Sequence, residues 1–350
     1  QSDSTYEIKF EKLISQADDT VKAEELYNVG FKIRAEDPML SFAYAKQLYQ
    51  CALSLQNKKY EAKAYSLVGV LNYRNGELRR ALEYHLKALE IREALEINDE
   101  VGKSYTNIGN VYSDIENFEL SEKYHLKALG VFSRLNDEKQ ILNCLCNLGV
   151  LKHAQKQDTP AVKNFQMALQ LAEKLNDHEA RAMCCNNLGI IYEEAKNWDM
   201  ALNYFFETVK LNEQMDTHGN LAESYFNLGS VYTGMKNKPE ALAWLGKALD
   251  IAKKFEHTAT QAMVLEKLAE NYSLEGDYKN AFSLLDEKNK LNQQSGSEAS
   301  SEMSAFVLPE PEQKGNFYEN LYKPVIYFLS GVFITLIFVF LFKPKKKKIK

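Results

Sequence analysis

Apolar residues along this chain recur at spacings of three, four and seven from about residue 20 to residue 292. That spacing predicts helices which each bury one face. The pattern itself also repeats. An apolar residue followed by a small one returns as Val29-Gly30, Val68-Gly69, Ile108-Gly109, Leu148-Gly149, Leu188-Gly189, Leu228-Gly229 and Leu268-Ala269. The first interval is 39 residues and every later one is 40. A fixed period in this range marks a stack of like supersecondary units, each too small to bury its apolar face alone.

Each unit has a second small position twelve residues on: Ala81, Ser121, Ala161, Ala201, Ala241 and Ala281. Seven further stand Ala88, Ala128, Ala168 and Ala248, with Thr208 and Lys288 as exceptions. Two small sites predict two helices per unit, close together where Gly and Ala face each other. Tyr112, Tyr192, Tyr232 and Tyr272 follow their small residue by three. Turn-like stretches separate the helices at Arg74–Glu77, Lys156–Pro160 and Lys236–Pro239, and Pro160 and Pro239 suit the first turn of a second helix, where no N–H is needed. In the first unit Ala45, Tyr49 and Ala52 give the best second helix, which implies about three inserted residues near Asp37-Pro38.

The stretches Asn107-Ile108-Gly109-Asn110-Val111-Tyr112, Asn227-Leu228-Gly229-Ser230-Val231-Tyr232 and Ala81–Leu89 resemble the two helices of the tetratricopeptide repeat family. The resemblance covers residues 20–292, with a 40-residue unit in place of the family's commonest 34. It implies an all-α, right-handed superhelical solenoid of about seven helix-turn-helix repeats. Residues 1–19 would form an N-terminal capping helix.

Asparagine stands two residues before the small one at Asn28, Asn107, Asn147, Asn187 and Asn227. Two residues turn a helix by about 200°, so these side chains point away from the helix pairing, toward the inner wall of a curved stack. Each amide carries a donor and an acceptor that match the C=O and N–H of an extended peptide. Bonds to a neighbouring helix are the other use for them. The resemblance implies peptide binding at Asn107, Asn147, Asn187 and Asn227, with a protein or extended peptide in the concave groove. Tyr65, Tyr105, Tyr225, Asn110, Asp114, Glu193 and Glu194 flank that row.

Other chemistry is thin. No HExxH, Walker loop or GxSxG occurs. His85 and His125 share one repeat slot, which points to repeat inheritance rather than catalysis. Cys144 and Cys184 share another, with Cys146 and Cys185 beside them, and read as small apolar fillers. No Lys/Arg run lines a helix face, which disfavours nucleic acid. These features predict no enzyme, no cofactor and no metal site.

Beyond residue 292 the composition changes. Residues 293–322 are rich in Ser, Glu and Gln and read as a flexible linker. Val325–Phe342 is an uncharged run of 18 residues, about 27 Å as a helix, which predicts a transmembrane span. Lys343, Lys345, Lys346, Lys347, Lys348 and Lys350 follow, and without them 37 basic residues face 48 acidic ones. The positive end should stay cytoplasmic. The first residue, Gln1 rather than Met, agrees with a removed leader.

Two readings follow. In one, the repeats are periplasmic and the chain spans the inner membrane once. This resembles the sensor region of membrane-bound regulators of Bacteroidota and implies a cytoplasmic output partner. In the other, the chain is a tail-anchored adaptor with cytosolic repeats on a eukaryotic organelle; Lys347-Lys348-Ile349-Lys350 also fits a dilysine retrieval pattern.

Overall fold

The structure, a computed structural model, describes residues 4–215, 217–299 and 306–309. Chain contacts separate Gln1–Val307 from Leu308–Lys350, and the architecture below is that of the first unit. Its described residues form fifteen helices and no strand. The expected membrane span at 325–342 lies outside the described residues. Among those described, no helix is long and apolar enough to cross a membrane.

A short helix α1 (Ser4–Ile14) precedes seven helical hairpins. The first helices are α2 (Thr20–Ile33), α4 (Lys58–Arg74), α6 (Asn98–Asp114), α8 (Glu138–Ala154), α10 (His178–Glu194), α12 (His218–Gly234) and α14 (Thr258–Leu274). Their second helices are α3 (Pro38–Ser54), α5 (Leu78–Ala94), α7 (Phe118–Leu135), α9 (Asp158–Lys174), α11 (Trp198–Met215), α13 (Lys238–Lys254) and α15 (Tyr278–Ala299). From α3 to α15 each helix begins 20 residues after the one before. The 40-residue period is therefore two equal halves.

The equal halves come from one recurring stop. A left-handed residue returns every 20 positions at Gln56, Gly76, Glu96, Glu116, Asn136, Lys156, Asn176 and Lys196, and again at Lys236, Glu256 and Gly276. Each closes the preceding helix with a pair of backbone bonds. After α3, for example, Gln56 N–H donates to Leu53 O and Asn57 N–H to Ala52 O. This is the Schellman arrangement, which satisfies carbonyls that a helix end leaves bare. Several helices start on a side-chain cap: Asp37, Asn57, Asn117, Asp137 and Asp177 each accept an N–H from the first turn that follows. Pro160 and Pro239 do fall in first turns, of α9 and α13.

Within a hairpin the small ladder residue does not meet a second small residue, contrary to the expectation of Gly against Ala. It meets a large one sixteen positions on. A Cβ built on Gly69 would lie 2.6 Å from the His85 ring, on Gly109 2.7 Å from His125, on Gly149 2.8 Å from Phe165, on Gly189 2.5 Å from Phe205 and on Gly229 2.6 Å from Leu245. Removing the Cβ lets a ring or branched side chain lie directly on the helix backbone. Ala81, Ala161, Ala201 and Ala241 are fully buried beside these contacts.

The first unit carries no insertion. Its second helix starts eight residues after Gly30, where α5 starts nine after Gly69, so the unit is one residue shorter. Asp37 caps α3 and Pro38 opens it. Ser41 takes the place of Ala81 and its hydroxyl donates to Gly30 O at 2.7 Å. At the other end α15 runs on to Ala299, into the stretch whose composition reads as linker. Extending a formed helix needs no new nucleus.

Candidate peptide-binding wall

The backbones of successive first helices approach one another closely (α2 with α4, α4 with α6, and so on to α12 with α14), whereas among the described residues the second helices meet only through long side chains, as Phe206 of α11 meets Trp244 of α13. The first helices therefore lie on the shorter, inner arc and the second helices on the outer one. Residues two before the ladder glycine stand on this inner arc, because the glycine itself is turned to the second helix of its own hairpin.

On that wall Asn28 is exposed and Asn107, Asn147, Asn187 and Asn227 are half-buried. Asn107 and Asn147 make no side-chain hydrogen bond to a described residue. Asn187 Nδ2 donates to Met183 O of its own helix at 2.8 Å. Asn227 Nδ2 donates to Asn186 Oδ1 of the neighbouring first helix at 2.7 Å. The Asn227 bond thus links neighbouring first helices, while Asn187 turns back on its own helix. Asn186 also lines a cavity of about 460 Å³ with Lys139, Asn143, Met183, Asn212 and Glu223, so the end of the asparagine row opens onto a polar hollow between α8, α10, α11 and α12.

The flanking residues divide differently. Tyr105 packs toward the outer helices: its hydroxyl donates to Glu93 at 2.6 Å, its ring lies 5.9 Å from Tyr124, and Lys127 Nζ sits 5.0 Å from its centroid. Tyr225 repeats this with Glu213, Trp244 and Lys247. Tyr65 pairs with Tyr84 under Lys87. These tyrosines belong to an aromatic–aromatic–lysine packing unit rather than to the asparagine row. Burial raises the Glu193 carboxyl, which accepts the Ser230 hydroxyl at 2.7 Å. Glu194 lies 3.4 Å from Lys156.

The histidines in the shared slot are core groups. His85 and His125 are almost wholly buried and each leaves Nδ1 without a partner. Burial, helped at His85 by the Arg92 charge, takes them down to about 3 and about 4. They are neutral at physiological pH. All five cysteines are buried and free, and the close contact is Cys146 Sγ to Cys184 Sγ at 3.6 Å, across α8 and α10. Burial raises Cys144 and Cys185 to about 11, which leaves them as unreactive thiols. Among the described residues no cluster of His, Cys, Asp or Glu could hold a metal ion.

Sequence reasoning missed one contact altogether. Asn72, which stands where other units carry tyrosine, bonds the main chain of Phe306 on both sides. The change from Tyr to Asn at that rung was the available signal.

The repeat, the hairpins and the inner wall define a helical-repeat protein. Family models described as tetratricopeptide repeat match residues 62–96 and, in overlapping segments, 100–254. The chain belongs to the tetratricopeptide repeat family. No match was found among the curated proteins. Among solved structures it is similar to a Rap protein complexed with Competence and Sporulation Factor (TM-score 0.63, 15% identity, covering 82% of this chain and 80% of that one). It is also similar to NprR in complex with its cognate peptide NprX (TM-score 0.57, 18% identity, 94% of each chain). A third is BtubC from P. vanneervenii (TM-score 0.56, 17% identity, 69% and 97%). At these identities the likeness is one of fold.

Proposed function

We propose that this chain is a non-enzymatic binding module which holds an extended peptide, or an extended segment of a protein, along the inner wall of its first helices. Asn107, Asn147, Asn187 and Asn227 would pair with the ligand main chain, and the hollow beside Asn186 would take a ligand side chain. The observation that carries this reading is the row itself: half-buried amides on successive inner helices, two of them making no bond to a described residue. The complex of NprR with its cognate peptide supports it, and so does that of the Rap protein with Competence and Sporulation Factor, since their fold is similar.

Decapeptides selected from a random displayed pool against the full chain in detergent test the reading. Selected peptides should lose at least tenfold in affinity for a chain with all four asparagines changed to alanine. Equal affinity for both chains would overturn it.

In this proposal residues 325–342 anchor the module in the inner membrane, with the repeats periplasmic, the lysine tail cytoplasmic and an output partner there to receive the signal. The charge asymmetry supports that orientation. Protease added to intact spheroplasts should cut the repeats. Cleavage only after the membrane is opened would place them in the cytosol and make the chain a tail-anchored adaptor instead.

A further inference from the structure

Asn72 lies near the end of α4 and is fully buried. Its Nδ2 donates to Val68 O of its own helix at 2.9 Å and to Phe306 O at 2.8 Å, while its Oδ1 accepts the Phe306 N–H at 3.2 Å. One side-chain amide thus meets both main-chain groups of a residue 234 positions away. The Phe306 ring is 2% exposed and lies 5.0 Å from Phe42, near the start of α3. Val307, the next residue, is 53% exposed. An inward ring followed by an outward side chain, with both main-chain groups paired, is the manner in which an extended peptide is bound.

The corresponding rung carries Tyr112, Tyr192, Tyr232 and Tyr272 in four other units. In two of them the tyrosine stacks on a ring of its own hairpin, Tyr112 on Tyr124 and Tyr192 on Tyr204. Asparagine at residue 72 gives up that stacking and presents an amide instead. This rung is on the face of the first helix that carries Tyr112 and Tyr192 toward the second helix, not on the inner wall where Asn107 to Asn227 stand.

We propose that the slot between the start of α3 and the end of α4 is a second peptide-binding site, selective for an extended segment carrying an aromatic residue. Its resident occupant is the chain's own Phe306 segment. Asn72 reads the main chain and the slot beside Phe42 reads the ring. The Phe306 segment is a tethered competitor, and tethering supplies a segment to its site at an effective concentration on the order of 1 mM. Where the segment's own Kd is on the order of a tenth of that concentration, a free segment of like affinity is weakened about tenfold. The slot is kept closed to weak ligands and opens to tighter ones, which would release the Phe306 segment from α3 and α4.

The test uses the full chain in detergent and an acetylated, amidated peptide of residues Ala305–Pro309 as probe. The Phe306→Ala chain should bind the probe about tenfold more tightly than the native chain. Adding Asn72→Leu to Phe306→Ala should abolish that binding. Asn187→Ala should leave it unchanged, which separates this site from the inner wall. Equal binding by the native and Phe306→Ala chains, or binding that survives Asn72→Leu, would overturn the proposal.

Discussion

The Phe205 ring rests on Gly189 so closely that a Cβ at that glycine would lie 2.5 Å from the ring. The same relation joins Gly69 to His85 and Gly149 to Phe165. It makes each hairpin a lock between a bare backbone and a large side chain, and it fixes the angle at which the inner helix presents its asparagine.

Gly189→Ala should therefore destabilise the solenoid although alanine favours helices. Helix propensity offers up to about 1 kcal/mol in its favour, and overpacking a filled contact costs about 1–3 kcal/mol. We expect a net loss of about 1 kcal/mol in urea unfolding. Gly130→Ala, where a Cβ would meet nothing within 4 Å, should instead stabilise.

His85→Phe should raise stability and flatten its acid dependence. Phe165 and Phe205 show that the slot accepts the ring, and the change removes a buried Nδ1 that has no partner, a defect of about 1–3 kcal/mol. Above pH 6.5 the imidazole is neutral folded and unfolded. As pH falls below 6.5 the unfolded His85 gains a proton that the folded one, held down to about 3 by burial, refuses. The native chain thus loses about 1.4 kcal/mol per pH unit from this group down to about pH 3. Melting curves at pH 7, 6 and 5 should diverge more for the native chain than for His85→Phe. Parallel curves would show that His85 is charged in the fold.

The left-handed stops supply a third expectation. Lys196 holds φ 56° and Lys156 φ 59°, where a side chain costs about 1 kcal/mol and glycine little. Lys196→Gly should raise the thermal midpoint, and Gly76→Ala, at φ 78°, should lower it. Opposite shifts would mean that the side chains at these turns stabilise more than the backbone strain costs.

Much of the architecture is legible from sequence because one requirement, the missing Cβ, admits almost one residue type and repeats it every 40 positions. The partner sixteen residues on is not legible in the same way. His85, His125, Phe165, Phe205 and Leu245 fill one slot with unlike chemistry, since only bulk against the bare backbone is required. The 20-residue stops are hidden for a related reason. Glu, Lys, Gln and Asn all occupy them, held there by the packed helices on both sides, and only Gly76 and Gly276 betray the geometry. The asparagine row was visible because asparagine has little other reason to recur on a helix. The contact between Asn72 and Phe306 joins residues with no local relation: the change from tyrosine to asparagine marks one partner, and no periodicity points to the other.

The central claim is that the inner asparagines pair with a ligand's main chain, and an amide-to-ester scan of a selected decapeptide tests it most directly. Each ester removes one N–H and leaves the side chains alone. Against the native chain, at least one ester should weaken binding about fivefold, the worth of one hydrogen bond of about 1 kcal/mol. That penalty should vanish for the chain in which the facing asparagine is alanine. A flat scan against the native chain would contradict main-chain pairing and leave the row as helix-to-helix glue.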